Sequence, residues 1–138
     1  MNDEANDTSF AVATPPGRSA IAVIRISGRN AAKAPALFSS PCPPAGRFAV
    51  SRLMQSGKVL DQVILLFMKG PISSTGEDVG EIHCHGSRAG TDAIIKKLTK
   101  ANEFRLASPG EFRKRCLLNG KEALAGGEGV ADVVARTT

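Results

Sequence analysis

Residues 21–28 read Ile-Ala-Val-Ile-Arg-Ile-Ser-Gly, an apolar run of small and β-branched residues that is interrupted by one arginine. This composition predicts a β-strand from Ala20 to Ser27. A second strand is predicted upstream, from Thr8 to Ala13. Between the two strands, Thr14-Pro15-Pro16-Gly17-Arg18 has the residues of a rigid turn. The two strands are therefore expected to be joined by this loop.

The middle of the chain predicts three further strands. Arg47 to Met54 and Val59 to Met68 flank Gln55-Ser56-Gly57-Lys58, a pattern typical of a β-hairpin. Another strand is predicted at about Asp78 to Cys84.

Helices are predicted in four places. A short helix across Asn30 to Phe38 is kinked or shortened by Pro35. Helical spacing of apolar residues begins after Ser87, which is a suitable N-cap. Another short helix starts near Pro109 and ends at Asn119-Gly120. The tail from Glu122 to Thr138 is predicted to be helical, although its glycines each weaken a helix by roughly 1 kcal/mol.

The predicted order is ββα followed by βββα, an α+β fold with a mixed or antiparallel five-stranded sheet. A chain of 138 residues falls in the size range of one domain. We expect residues 1–121 to form that domain and residues 122–138 to begin a helical region.

Composition narrows the class of protein. There are 6 Phe but no Trp or Tyr. The sequence therefore has few aromatic rings on which a nucleic-acid-binding surface could stack bases. Cys42, Cys84 and Cys116 are odd in number and have no CxxC spacing, which favours reduced thiols in a cytoplasmic protein. The longest apolar run, Val63 to Met68, is too short to cross a bilayer.

The formal net charge of +5 is concentrated in one segment. Between His85 and Lys121, nine lysines and arginines stand against three acidic residues. Such a patch can attract RNA or another polyanion. A solvated helix face explains the same spacing, and we favour that interpretation.

Three charged residues lie at the ends of predicted elements, where they suggest one ligand pocket built from distant segments. Glu81 is expected to point inward and could accept two parallel N–H bonds from a planar heterocycle. Arg25 lies in an otherwise apolar strand, and Lys121 follows a helix end. Each also has an ordinary interpretation: a surface acid, an edge-strand arginine and a cation that compensates a helix dipole.

Common catalytic motifs do not occur in the sequence. His83-Cys84-His85 offers at most two metal ligands on one face of a strand, so we predict no metal site. The glycine-lysine pairs lack the spacing of a nucleotide P-loop, and no GxSxG motif is present. We assign no catalytic residue.

Taken together, several short motifs resemble the amino-terminal domain of the tRNA-modification GTPases of the MnmE or TrmE family. They cover almost the whole chain in the family's order: Ala13-Thr14-Pro15-Pro16-Gly17-Arg18, Val23-Ile24-Arg25-Ile26-Ser27-Gly28, Thr75-Gly76-Glu77-Asp78, His85-Gly86, Arg105-Leu106-Ala107, Pro109-Gly110-Glu111-Phe112, Arg115 and Leu118-Asn119-Gly120-Lys121.

The resemblance implies a fold like half of an aminomethyltransferase, paired as a homodimer that completes a folate site. The ligand would be a tetrahydrofolate derivative in its 5-formyl or 5,10-methylene form. Arg25, Glu81 and Lys121 match the family's folate contacts. The family works with the flavoprotein MnmG on the wobble uridine of tRNA, and membrane attachment is not implied.

Some positions depart from the family pattern. Ser74 and Ser87 replace an aromatic residue and a glycine, Cys116-Leu117 stands for Ala-Phe, and residues 122–129 differ most. Family members continue into a helical domain and a GTPase domain. The chain is thus expected to be a fragment or a stand-alone form that cannot perform the full reaction.

Two other functions fit the sequence. The chain could be a self-contained one-carbon transferase of the aminomethyltransferase type, with Glu77, Asp78 or His83 as the general acid or base. It could instead be a small basic tRNA-binding protein that uses the positive segment.

Overall fold

A mixed sheet of six strands forms the frame of the described part of the protein. The computed structural model describes residues 7–13, 21–71, 73, 75–85 and 88–119. The strands are β1 (Thr8–Val12), β2 (Ile21–Ser27), β3 (Arg47–Gln55), β4 (Lys58–Met68), β5 (Val79–His85) and β6 (Phe104–Leu106). The helices are α1 (Arg88–Lys100) and α2 (Glu111–Leu118), with short 3-10 helices at Ala31–Lys33 and Pro35–Phe38.

The strand order across the sheet is β3-β4-β5-β2-β1-β6. All neighbouring pairs are antiparallel except β1 and β6, which run parallel. The predicted α+β class with a mixed sheet is confirmed. The predicted number of five strands is wrong, because the three-residue strand β6 was not recognised.

One face of the sheet is buried beneath helices. Ile24 and Ile26 of β2, Leu65 of β4 and Ile82 of β5 are almost inaccessible to solvent. They belong to one core cluster with apolar side chains of α1 such as Leu98. The 13-residue helix α1 thus supplies the apolar cover for this face.

The opposite side is called the open face here. It is the side of the sheet that carries Arg25, Val50, Ile64 and Glu81. Successive strand residues point to opposite faces, and these four positions alternate with the buried residues of their strands. In the described ranges, both α-helices lack the length and hydropathy of a membrane-spanning segment.

The predicted hairpin is confirmed. A two-residue turn at Ser56 and Gly57 joins β3 to β4, and both residues have positive φ, at 53° and 77°. Turns of this type match the right-handed twist of the flanking strands. The turn and a one-residue register shift between Leu53 and Met54 together set Val50 opposite Ile64 on the open face.

One predicted helix has a different form. The segment Asn30 to Phe38 contains two 3-10 helices, and Pro35 begins the second one. Four other predictions lie outside the described residues: the loop Thr14 to Arg18, the N-cap Ser87, the site residue Lys121 and the helical tail 122–138.

Candidate functional site

Arg25 of β2 and Glu81 of β5 are cross-strand partners at the centre of the sheet. The Nε–H of Arg25 donates a hydrogen bond to Oε2 of Glu81 at 2.9 Å. Their side chains are 19% and 16% exposed, so the ion pair is largely but not fully shielded from water. The structure therefore brings together two residues that are 56 positions apart in the chain.

Glu81 faces away from the helices. Its strand neighbours Gly80 and Ile82 are buried on the helical side, and alternation sets Glu81 on the open face. The expectation that this carboxylate points inward is therefore wrong, because β5 uses its other positions to fill the core. Leu66 of β4, its cross-strand partner, gives Glu81 an apolar neighbour on the open side.

His83 also contacts Glu81. Its Nε2 lies 2.8 Å from Oε1 of Glu81, the oxygen that Arg25 does not bond. The sequence pattern indicated for His83 only a metal ligand or an acid-base group. The i, i+2 spacing of Glu81 and His83 on a strand was the signal for this contact, since such residues share a face.

Apolar side chains surround this row of three polar residues. Ile21, Phe48, Val50 and Ile64 are 53%, 71%, 62% and 44% exposed. A pocket of about 400 Å³ is lined by Ile21, Val50 and Ile64 together with His83 and His85. Such an accumulation of exposed apolar area on one face is typical of a surface that binds a ligand or a partner.

A second charged cluster lies close to the carboxyl end of β2. Arg115 of α2 is only 4% exposed and donates hydrogen bonds to Glu77 and to Glu111. Arg105 of β6 forms a bidentate pair with Glu111 and also bonds Asp7. These hydrogen bonds connect α2 to β6 and to the segment before β5.

The Glu111 carboxylate is ionised in this network. Burial alone would raise the pKa of Glu111, but hydrogen bonds from Arg105, Ser108 and Arg115 outweigh it and lower the pKa to about 2. Glu111 is therefore a structural anion rather than a proton donor near neutral pH.

The ion pairs of this network reduce the net positive charge of the segment that suggested RNA binding. Arg105 and Arg115 are both neutralised by carboxylates, and Arg115 is buried. The exposed cations on α1 and α2 include Lys96, Lys100 and Lys114. The cationic surface is accordingly smaller than the sequence count implied.

The three residues considered for acid-base chemistry all have partners. Glu77 is bonded by Arg115 and by the Ser27 hydroxyl. Asp78 accepts the Gly70 N–H, and His83 contacts Glu81. In the ranges described, no three His, Cys, Asp or Glu side chains are grouped as a metal site requires.

All three cysteines are free thiols. Burial raises the pKa of Cys84 to about 12, with a further contribution from the charge of Asp61. Burial also raises the pKa of Cys42. A thiol reacts as the thiolate, so Cys84 has little nucleophilic character.

The sequence is similar to one known protein family over most of its length. The family model described as "GTP-binding protein TrmE N-terminus" matches residues 8–121. A tRNA modification GTPase MnmE from Phenylobacterium zucineum (strain HLK1) is 45% identical over 130 residues, which cover 94% of this chain and 29% of that protein. The protein of the same name from Ruegeria pomeroyi (strain ATCC 700808 / DSM 15171 / DSS-3) is 43% identical over 129 residues, covering 93% and 30%. The chain thus spans about three tenths of the length of these relatives.

Proposed function

The chain belongs to the family of TrmE amino-terminal domains, and from this premise we propose that it binds a tetrahydrofolate carrying a one-carbon unit. The bound form would be 5-formyl- or 5,10-methylene-tetrahydrofolate. The domain would serve as the folate-binding and dimerisation module of a tRNA modification GTPase.

The observation that carries this proposal is the Arg25–Glu81 pair on the open face. An ionised carboxylate has about four lone pairs, and in the described structure Glu81 uses one on each oxygen, for Arg25 and for His83. One lone pair therefore remains on each oxygen. Two parallel N–H groups, such as the ring N–H and the 2-amino group of a pterin, match this arrangement.

Arg25 can contribute to the same ligand. Its bond to Glu81 uses only Nε–H, and the terminal groups of a guanidinium carry four further N–H donors. These donors are suited to carbonyl, formyl or carboxylate oxygens of a folate. Lys121 is the third proposed contact. It lies outside the described residues, three positions beyond the end of α2 at Leu118.

A second copy of the chain is the proposed occupant of the remaining open face. Phe48, Val50 and Ile64 form a row across β3 and β4, and all three are more than two fifths exposed. Covering each Å² of apolar surface is worth about 25 cal/mol. Pairing the open faces of two copies would bury both apolar rows. Each copy would then cover the ligand bound to the other.

The domain's contribution to a reaction would be positional. A folate held by Glu81 and Arg25 would present its one-carbon unit to chemistry supplied by partner proteins. We propose that these partners include an MnmG-like flavoprotein, with tRNA as the substrate of the assembly.

Calorimetry with 5-formyl-tetrahydrofolate tests the site. Glu81→Gln keeps the size of the side chain but removes its charge and one acceptor oxygen. Since hydrogen bonds to charged groups are worth about 1.5–3 kcal/mol, we expect the affinity to fall at least about tenfold.

The matched control is Asp61→Asn. Asp61 also bonds a histidine of β5, since its carboxylate contacts His85 at 2.9 Å. This variant should bind folate as the wild type does. Unchanged affinity in Glu81→Gln would refute the assignment of the site.

A further inference from the structure

We propose that His83 is a positioning residue of the folate site, which holds the Glu81 carboxylate in the orientation that the pterin requires. This inference rests on the proposed function. It assigns to His83 a role in the affinity for the neutral edge of the pterin.

The geometry shows a carboxylate held at both oxygens. Arg25 bonds Oε2 from the neighbouring strand at 2.9 Å, and His83 bonds Oε1 from the same strand at 2.8 Å. A glutamate side chain has several rotatable bonds and loses about 1.5–2 kcal/mol of rotamer freedom when it is fixed. Because His83 restrains the second oxygen, part of that loss occurs before the ligand binds.

The contact also defines the protonation of the imidazole. An ionised carboxylate only accepts hydrogen bonds, so the proton lies on Nε2 of His83. In the neutral ring Nδ1 is then an acceptor. The His83 side chain is one third exposed.

Two substitutions separate positioning from packing. His83→Gln keeps an N–H donor at the same number of bonds from the backbone, whereas His83→Leu removes the donor and keeps an apolar side chain of similar size. By the usual worth of one hydrogen bond, we expect His83→Leu to bind 5-formyl-tetrahydrofolate about three- to tenfold more weakly, and His83→Gln to stay within about twofold of wild type.

A matched control is measured alongside the two variants. Both variants are titrated with 5-formyl-tetrahydrofolate at one neutral pH, beside the wild type. The control is His85→Gln, on the same strand and face but paired with Asp61. It should bind 5-formyl-tetrahydrofolate as the wild type does.

The outcomes separate the two proposals. If Glu81→Gln loses affinity while His83→Leu and His83→Gln behave as wild type, the positioning role is wrong and the folate site stands. If the wild-type chain binds no folate, the proposed function fails and the positioning role fails with it. A loss in His83→Leu that His83→Gln restores supports both.

Discussion

At the scale of single residues, the charged groups of this protein divide into two kinds. Glu111 and Arg115 are about 95% buried and bond each other within a network. Arg25 and Glu81 retain some exposure and unused hydrogen-bonding capacity on the open face. The first kind stabilises the fold, and the second kind is suited to a ligand.

The Glu111 network predicts a specific response to acid. The pKa of Glu111 is lowered from an ordinary 4.5 to about 2. A lowered folded-state pKa contributes stability above the ordinary value, and this contribution is lost as the pH falls towards the folded-state value. We therefore expect about 3 kcal/mol of unfolding free energy to be lost between about pH 4.5 and about pH 2.

Urea unfolding at a series of pH values measures this effect. Glu111→Gln should be less stable than wild type at neutral pH and should lose less stability in acid. Glu103→Gln, at an exposed position in the turn before β6, should follow the wild-type curve. Parallel acid dependence in Glu111→Gln and wild type would rule out this role for Glu111.

The sequence predicted Arg25 and Glu81 as one site because each charge interrupts an otherwise apolar or glycine-bounded strand. It did not predict the bond between them, since the pairing of β2 with β5 joins segments 56 residues apart. Glu77 was also missed as a partner of Arg115, since the two residues are 38 positions apart in the chain. Contacts of this kind depend on strand order, which residue patterns do not encode locally.

At the scale of elements, long periodic segments were predictable and short ones were not. The hairpin of β3 and β4 follows from two alternating runs around Ser56-Gly57. Strand β6 has three residues, which are too few to show alternation. It forms because it pairs in parallel with the edge of β1. The two 3-10 helices reflect Pro35, which fits the start of a helix and not its interior.

Gly28 follows the end of β2 and packs closely against the start of β1. Its φ is 139°, and a Cβ there would lie 2.5 Å from the Asp7 carbonyl oxygen and 2.6 Å from Thr8 Cα. These are backbone atoms at the start of β1, so they cannot move without disturbing the pairing of β1 with β2. We expect Gly28→Ala to lower the unfolding free energy by at least about 2 kcal/mol more than Gly57→Ala.

Gly57 is the matched control. It also has a positive φ, at 77°, but a Cβ there would have no neighbour within 4 Å. Both variants therefore carry backbone strain, and only Gly28→Ala carries the steric clash. Equal destabilisation in thermal unfolding would contradict this packing of Gly28.

At the scale of the whole molecule, the two faces of the sheet differ in what covers them. Helix α1 covers the face that contains Ile24 and Ile82. The open face carries Arg25, Glu81 and a row of exposed apolar residues. The sequence predicted five of the six strands of the sheet. The difference between the two faces followed only from the order of the strands.

The central claim is that the open face binds both a folate and a second copy of the chain. Phe48→Asp places a charge at an exposed position of that face, where burial in a dimer would cost several kcal/mol. Leu106→Asp is the control. Leu106 is 59% exposed on edge strand β6, and alternation sets it on the helical side.

Sedimentation velocity with 5-formyl-tetrahydrofolate tests this claim most directly. The chain has no Trp or Tyr, so the near-ultraviolet absorbance of the folate marks the ligand while interference optics give the mass of the protein. We predict that folate sediments with a dimer in wild type and Leu106→Asp, and that Phe48→Asp is a monomer with little bound folate. A Phe48→Asp chain that still sediments as a folate-loaded dimer would contradict the account.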